Sequence, residues 1–192
     1  FRRVLFRSAL RSCAKRSSSY EGVAMNGPAV TEPAPGLASL AQGAAARLKA
    51  RGETLSVAES STGGLLSAAL LAVPGASSYF VGGGVVYTNA SRKVVLHMTR
   101  DDVKGLAPLT PPMAAIFAER TRERFATTWA IAELGAAGPT GTRYGAGPGT
   151  SAIAIAGPVA VSALIETGLN DREANMWAFT RHALRLLEQA LA

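Results

Sequence analysis

Cysteine is almost absent from this chain: Cys13 is the only one in 192 residues. An internal disulfide is therefore excluded, and so is a metal held by several thiolates; a reducing compartment is allowed. Histidine is nearly as scarce, with His97 and His182 alone and no His-Glu-x-x-His pair. Neither a metal nor a cofactor is expected on that basis. No apolar run reaches the 18 residues of a membrane span, so no membrane partner is expected. Gly-x-Ser-x-Gly and Gly-x-x-x-x-Gly-Lys-Ser/Thr are both missing, which removes the hydrolase nucleophile elbow and the Walker loop.

Aromatic residues make up only 6% of the chain, and they are not interleaved with basic ones. That weakens the nucleic-acid reading of a formal charge of +7. The charge is also unevenly spread. Residues 1–33 carry Arg2, Arg3, Arg7, Arg11, Lys15 and Arg16 against Glu21 and Glu32, a net of +4, and the remaining residues carry +3. Nucleic acid is not an expected partner of so weakly basic a domain.

Residues 1–36 hold arginine and serine early and Gly27, Pro28, Pro33, Pro35 and Gly36 later, without periodicity. A disordered basic tail or a non-native leader is expected there. Three origins stay open: an organelle transit peptide, a fragment, or translated sequence upstream of a start at Met25. The folded domain is expected over 37–192, and a domain of about 155 residues buries roughly 70% of its unfolded surface without a staple. The expected location is cytoplasmic, or an organelle if residues 1–20 are genuine.

Abundant alanine, leucine and glycine suit an α/β domain with close-packed layers. Helices are predicted from Ala38 to Arg51, from Leu65 to Leu71, from Arg92 to Leu96, from Pro111 to Phe125 and after Asp171. Strands are predicted at Thr54–Ala58, Tyr79–Tyr87, Thr127–Leu134, Thr150–Ala156 and Val159–Ile165. Gly82, Gly83 and Gly84 inside the second strand imply a bulge or a close backbone approach. Gly135 to Gly149 is too rich in glycine for regular structure.

The stretch Thr54–Leu71, TLSVAESSTGGLLSAALL, joins a strand to a helix through small polar residues. Ser60, Ser61 and Thr62 are candidate helix caps. The same place suits a nucleophile or an anion, because unpaired N–H groups face outward at a helix start. Ser60 is the leading candidate nucleophile, with backbone donors near Thr62, Gly63 and Gly64. Tyr87, Arg92 and Lys93 follow the second strand, and a lysine with a lowered pKa assisted by a tyrosine can serve as the base. In the glycine loop Gly138 offers backbone to an anion, Arg143 can contact one, and Tyr144 can stack on a ring. The bland alternative for each is a cap, a surface residue or a loop residue.

Three blocks, VAESSTGG, PGASSYFVGGGVVYTNASRK and GAAGPTG, together resemble the C-terminal domain of the competence-damage-inducible protein CinA, from about Leu37 onward. The resemblance implies a single three-layer α/β domain with a mixed sheet flanked by helices, often a homodimer. It also implies a nicotinamide-nucleotide amidase acting on the carboxamide of nicotinamide mononucleotide, with a small nucleotide as partner. On that basis Ser60, Tyr87 and Lys93 would be catalytic, and Ser61, Thr62, Gly63, Gly64, Arg92, Gly138 and Arg143 would bind substrate. The chain departs from the family pattern where Ser61 replaces a cysteine, Ala90 a glutamate and Arg92 the lysine. Arginine does not give up its proton in proteins. The chain looks closer to the divergent eukaryotic members, so the alternative is a non-catalytic nucleotide-binding or regulatory dimer that has lost its base.

Overall fold

The computed structural model describes residues 36–192. The expectations for residues 1–35 lie outside the described residues. Five strands form one mixed sheet in the order β2-β1-β3-β4-β5. In chain order the elements are α1 (Leu37–Arg51), β1 (Leu55–Glu59), α2 (Leu65–Leu71), β2 (Phe80–Val85), α3 (Asn89–Leu96), α4 (Pro111–Phe125), β3 (Trp129–Ala136), β4 (Thr150–Ala156), β5 (Val161–Glu166) and α5 (Arg172–Ala190). Strand β1 runs parallel to β2 and β3, while β4 is antiparallel to both β3 and β5. The parallel pairs need helical crossovers, and the antiparallel pairs close through loops.

Strand alternation divides the core in two. Leu55, Val57, Trp129, Ile131, Ile153 and Ile155 face α1, α2 and α5, whose Ala44, Leu48, Leu66, Leu70, Leu184 and Leu187 cover them. On the opposite face Ala58, Ala132, Ala152 and Ala154 receive Met113, Ala114, Phe117 and Ala118 of α4. Bulky side chains prevail on one face and alanines, with Leu134, on the other, which lets α4 lie close against its side of the sheet with Leu96 of α3 packed beside it. The result is the expected three-layer α/β domain with a mixed sheet flanked by helices.

Glycine in β2 has both expected causes. The pairing with β1 slips between Leu55↔Phe80 and Ser56↔Gly82, a bulge. A Cβ on Gly83 would stand 2.3 Å from the Val57 carbonyl oxygen, so any larger residue would push the strands apart.

Candidate functional site

Residues 59–67 leave the end of β1 and enter α2, and the helix start differs from the sequence expectation. None of the three hydroxyl residues caps α2; its N-cap is Gly64, which carries no side chain, and Gly63 and Gly64 turn the chain with φ of 64° and 107°. The capping group is the buried carboxylate of Glu59, one residue upstream of the serines. Its Oε2 accepts from the N–H of Gly64 and of Leu66, each at 3.0 Å, and from the Thr62 hydroxyl at 2.9 Å. Its Oε1 accepts from the Ser67 N–H at 2.9 Å and the Ser67 hydroxyl at 2.6 Å. A helix N-terminus attracts an anion, and here the protein supplies that anion itself.

A second buried carboxylate stands beside the first. Glu133 lies on β3, next to β1, and follows Ala132, the partner of Ala58. Its Oε2 accepts from the Ser60 N–H at 3.1 Å and the Thr62 N–H at 3.0 Å, and its Oε1 from the Ser61 hydroxyl at 2.5 Å and the Ser151 hydroxyl at 2.9 Å. The Thr62 hydroxyl lies 3.1 Å from Oε2. That hydroxyl has one proton for two carboxylates, so it can donate to only one of them at a time. Of the N–H groups from Ser60 to Ser67, those of Ser61 and Gly63 alone have no acceptor among the described residues.

Gly135 explains how these groups fit. A Cβ there would sit 2.3 Å from the Ser61 oxygen and 2.7 Å from Glu133 Oε1. The loop after it is fastened by Asn175 of α5, fully buried, which donates to the Ala137 carbonyl at 2.8 Å and the Leu169 carbonyl at 2.9 Å. Arg172 adds a bond to the Gly138 carbonyl at 2.9 Å.

The Ser60 side chain makes no hydrogen bond among the described residues and lines a cavity of about 640 Å³ together with Tyr87, Arg92, Gly135, Arg143 and Tyr144. Ser61, Gly138 and Arg172 line a smaller one of about 220 Å³, which shares Tyr87, Gly135 and Thr142 with the first. Thus the structure gathers Ser60, Tyr87, Arg92 and Arg143 around one space, and Ser61 and Gly138 around its neighbour. Lys93 is not among them. It is exposed and lines a third cavity of about 270 Å³, because one residue along α3 turns the side chain by about 100°. No carboxylate, imidazole or amine lines the Ser60 cavity.

Arg92 is the best fixed of the cations. Its Nε donates to the Val86 carbonyl at 3.1 Å, and its guanidinium lies 5.0 Å above the centre of the Phe117 ring. Burial lowers its pKa from the ordinary arginine value. Arg143 sits over the Tyr144 ring at 4.8 Å and donates to its hydroxyl at 2.5 Å. Among the described residues no three His, Cys, Asp or Glu gather as for a metal, and no helix is long and apolar enough to cross a membrane.

The family model for the CinA C-terminal domain matches residues 37–191. The chain belongs to the CinA C-terminal domain family. It is 41% identical over 128 residues to a CinA-like protein of Parasynechococcus marenigrum, covering 67% of this chain and 30% of that protein. A CinA-like protein of Anaeromyxobacter sp. strain Fw109-5 is 38% identical over 146 residues, covering 76% of this chain and 36% of the relative. The chain therefore spans about a third of the length of these curated relatives. Among solved structures, the CinA superfamily protein KP700603 of Klebsiella pneumoniae 700603 superposes with a TM-score of 0.75 at 26% identity, over 82% of this chain and 98% of that one. The competence/damage inducible protein CihA of Agrobacterium tumefaciens gives 0.74 at 26% identity, over 84% and 98%.

Glu59 and Glu133 are the site-ordering residues to which the sequence reading gave no role. A glutamate amid the apolar TTWAIAELGAA was the available signal, because an interior strand position tolerates a charge only when donors meet it.

Proposed function

We propose that this CinA-family domain binds a phosphorylated nucleotide and that recognition, rather than amide hydrolysis, is its role. The observation that carries this reading is the lining of the Ser60 cavity: two guanidinium groups, Arg92 and Arg143, and no side chain able to take a proton near neutral pH. A guanidinium holds a phosphate by paired hydrogen bonds but serves poorly as a general base. Tyr87 and Tyr144 add aromatic surface for a base to that lining, and Ser61, whose N–H has no acceptor among the described residues, lines the adjoining cavity. The divergent, eukaryotic-type placement belongs to this proposal and rests on Ser61 and Arg92 at the family's cysteine and lysine positions. So does the homodimer, which light scattering on the purified chain measures directly.

One feature favours a second reading, an amidase acting on nicotinamide mononucleotide. The Ser60 hydroxyl is uncommitted among the described residues and opens onto the same cavity as Tyr87. In that reading the hydroxyl adds to the amide carbonyl, ammonia departs, and water releases the acid from the acyl-enzyme, with a base drawn from outside the cavity wall. Calorimetric titration with nicotinamide mononucleotide, run beside an ammonia-release assay, separates the two. Binding that Arg92→Leu weakens, with no ammonia formed, is the expected result. Ammonia release abolished by Ser60→Ala would overturn it in favour of the amidase, and absence of binding would reject both.

A further inference from the structure

The third cavity, about 270 Å³, shares Asn89, Arg92 and Val103 with the Ser60 cavity. Arg92 is therefore a partition with a hollow on either side. Only its Nε is bonded to protein; its two terminal nitrogens have no acceptor, and no carboxylate pairs with it among the described residues. A half-buried cation left in that state calls for an anion. Lys93 and Arg100 stand in the lining of the third cavity as well. Two acids follow Arg100 in sequence and neither pairs with these cations: Asp101 forms no ion pair among the described residues, and the Asp102 carboxylate accepts the Thr99 N–H at 2.7 Å and the Thr99 hydroxyl at 2.9 Å, and pairs with Arg120.

The remaining lining of this hollow is mixed, with the polar Asn89 and Thr99 beside three apolar side chains. Met98, Val103 and Phe117 form its apolar part, a surface for a ring or a hydrocarbon group rather than for a second phosphate. The Ser60 cavity, at about 640 Å³, already lies in the roughly 300–1,000 Å³ range that encloses a small ligand. A mononucleotide held there leaves the second hollow, with its two further cations, unused.

We infer that the ligand is a dinucleotide joined by a pyrophosphate, which lies across Arg92 between Arg143 on one side and Lys93 and Arg100 on the other. One nucleoside faces Tyr87 and Tyr144; the other enters the hollow lined by Asn89, Met98, Thr99 and Val103. This inference rests on the nucleotide-binding reading above and specifies the substrate class of that site.

Calorimetric titration of the full chain with nicotinamide mononucleotide, nicotinamide adenine dinucleotide and inorganic pyrophosphate tests it. The dinucleotide should bind at least about tenfold more tightly than the mononucleotide, as expected for one or two added charge-assisted contacts. Arg100→Glu, an exposed side chain that lines the second hollow and not the first, should lower the dinucleotide affinity by more than the mononucleotide affinity and so remove that advantage. A thermal melt of the variant checks that it remains folded. Equal affinities for the two nucleotides, unmoved by Arg100→Glu, would overturn the dinucleotide assignment and leave the nucleotide-binding reading standing. Pyrophosphate binding as tightly as the dinucleotide would also overturn it, by showing that charge alone is read. If no nucleotide binds, the parent reading fails and this inference with it.

Discussion

The two acidic residues buried beside the serine turn and four basic residues lining the Ser60 cavity and the third cavity present opposite solutions to placing charge in a fold. Glu59 and Glu133 are buried, adjacent and saturated, with backbone N–H groups and hydroxyls turned toward them. Arg92, Lys93, Arg100 and Arg143 line open space, and none of them forms an ion pair among the described residues. Charge already met by the protein maintains shape, and charge left unmet is available to a ligand. The acids should accordingly govern folding and the bases should govern binding.

The sharpest way to break that division is Glu133→Ala. It strands the Ser60 and Thr62 N–H groups and two hydroxyls in the interior, at a cost of about 3 kcal/mol or more, read from urea unfolding. Glu133→Gln, which keeps one acceptor, should cost less. Next comes Gly135→Ala, whose methyl would collide with Ser61 and Glu133; about 2 kcal/mol of stability should be lost by the same measurement. On the basic side, Arg92→Leu should weaken nicotinamide mononucleotide about tenfold by calorimetry while changing stability by about 1 kcal/mol or less.

The smallest effect belongs to Asp102. The Thr99 N–H and hydroxyl, then Arg120, hold its pKa below the ordinary 3.8. A depressed carboxylate contributes stability above its unfolded value and loses it as pH falls through the folded one. Acid unfolding monitored below about pH 4 should therefore be shallower in Asp102→Asn than in the parent, with the two curves offset by a constant amount near neutrality.

Much of the architecture was legible in the chain. Alternation in TSAIAIA marked β4 to the residue, and Thr88 and Asp171 cap α3 and α5 through their side chains, as such residues do before helices. The site was legible in part. Ser60, Tyr87, Arg92 and Arg143 were named from the sequence and line one space. What the residues alone could not convey is cross-sheet register. Only the β1–β3 pairing sets Glu133 under the serine turn, and only the rotation along α3 separates Lys93 from Ser60. The helix cap was misread for a related reason, since Glu59 reaches it from the strand rather than from the N-cap position.

Where the family pattern has cysteine, Ser61 holds its hydroxyl against Glu133. With Cys13 the one thiol in the sequence, the described residues offer no thiol to an alkylating reagent, and the sulfurs lining the cavities are the thioethers of Met98 and Met113. Iodoacetamide near neutral pH should leave nicotinamide mononucleotide affinity untouched, so that any oxidative sensitivity of the cavities would reside in those thioethers.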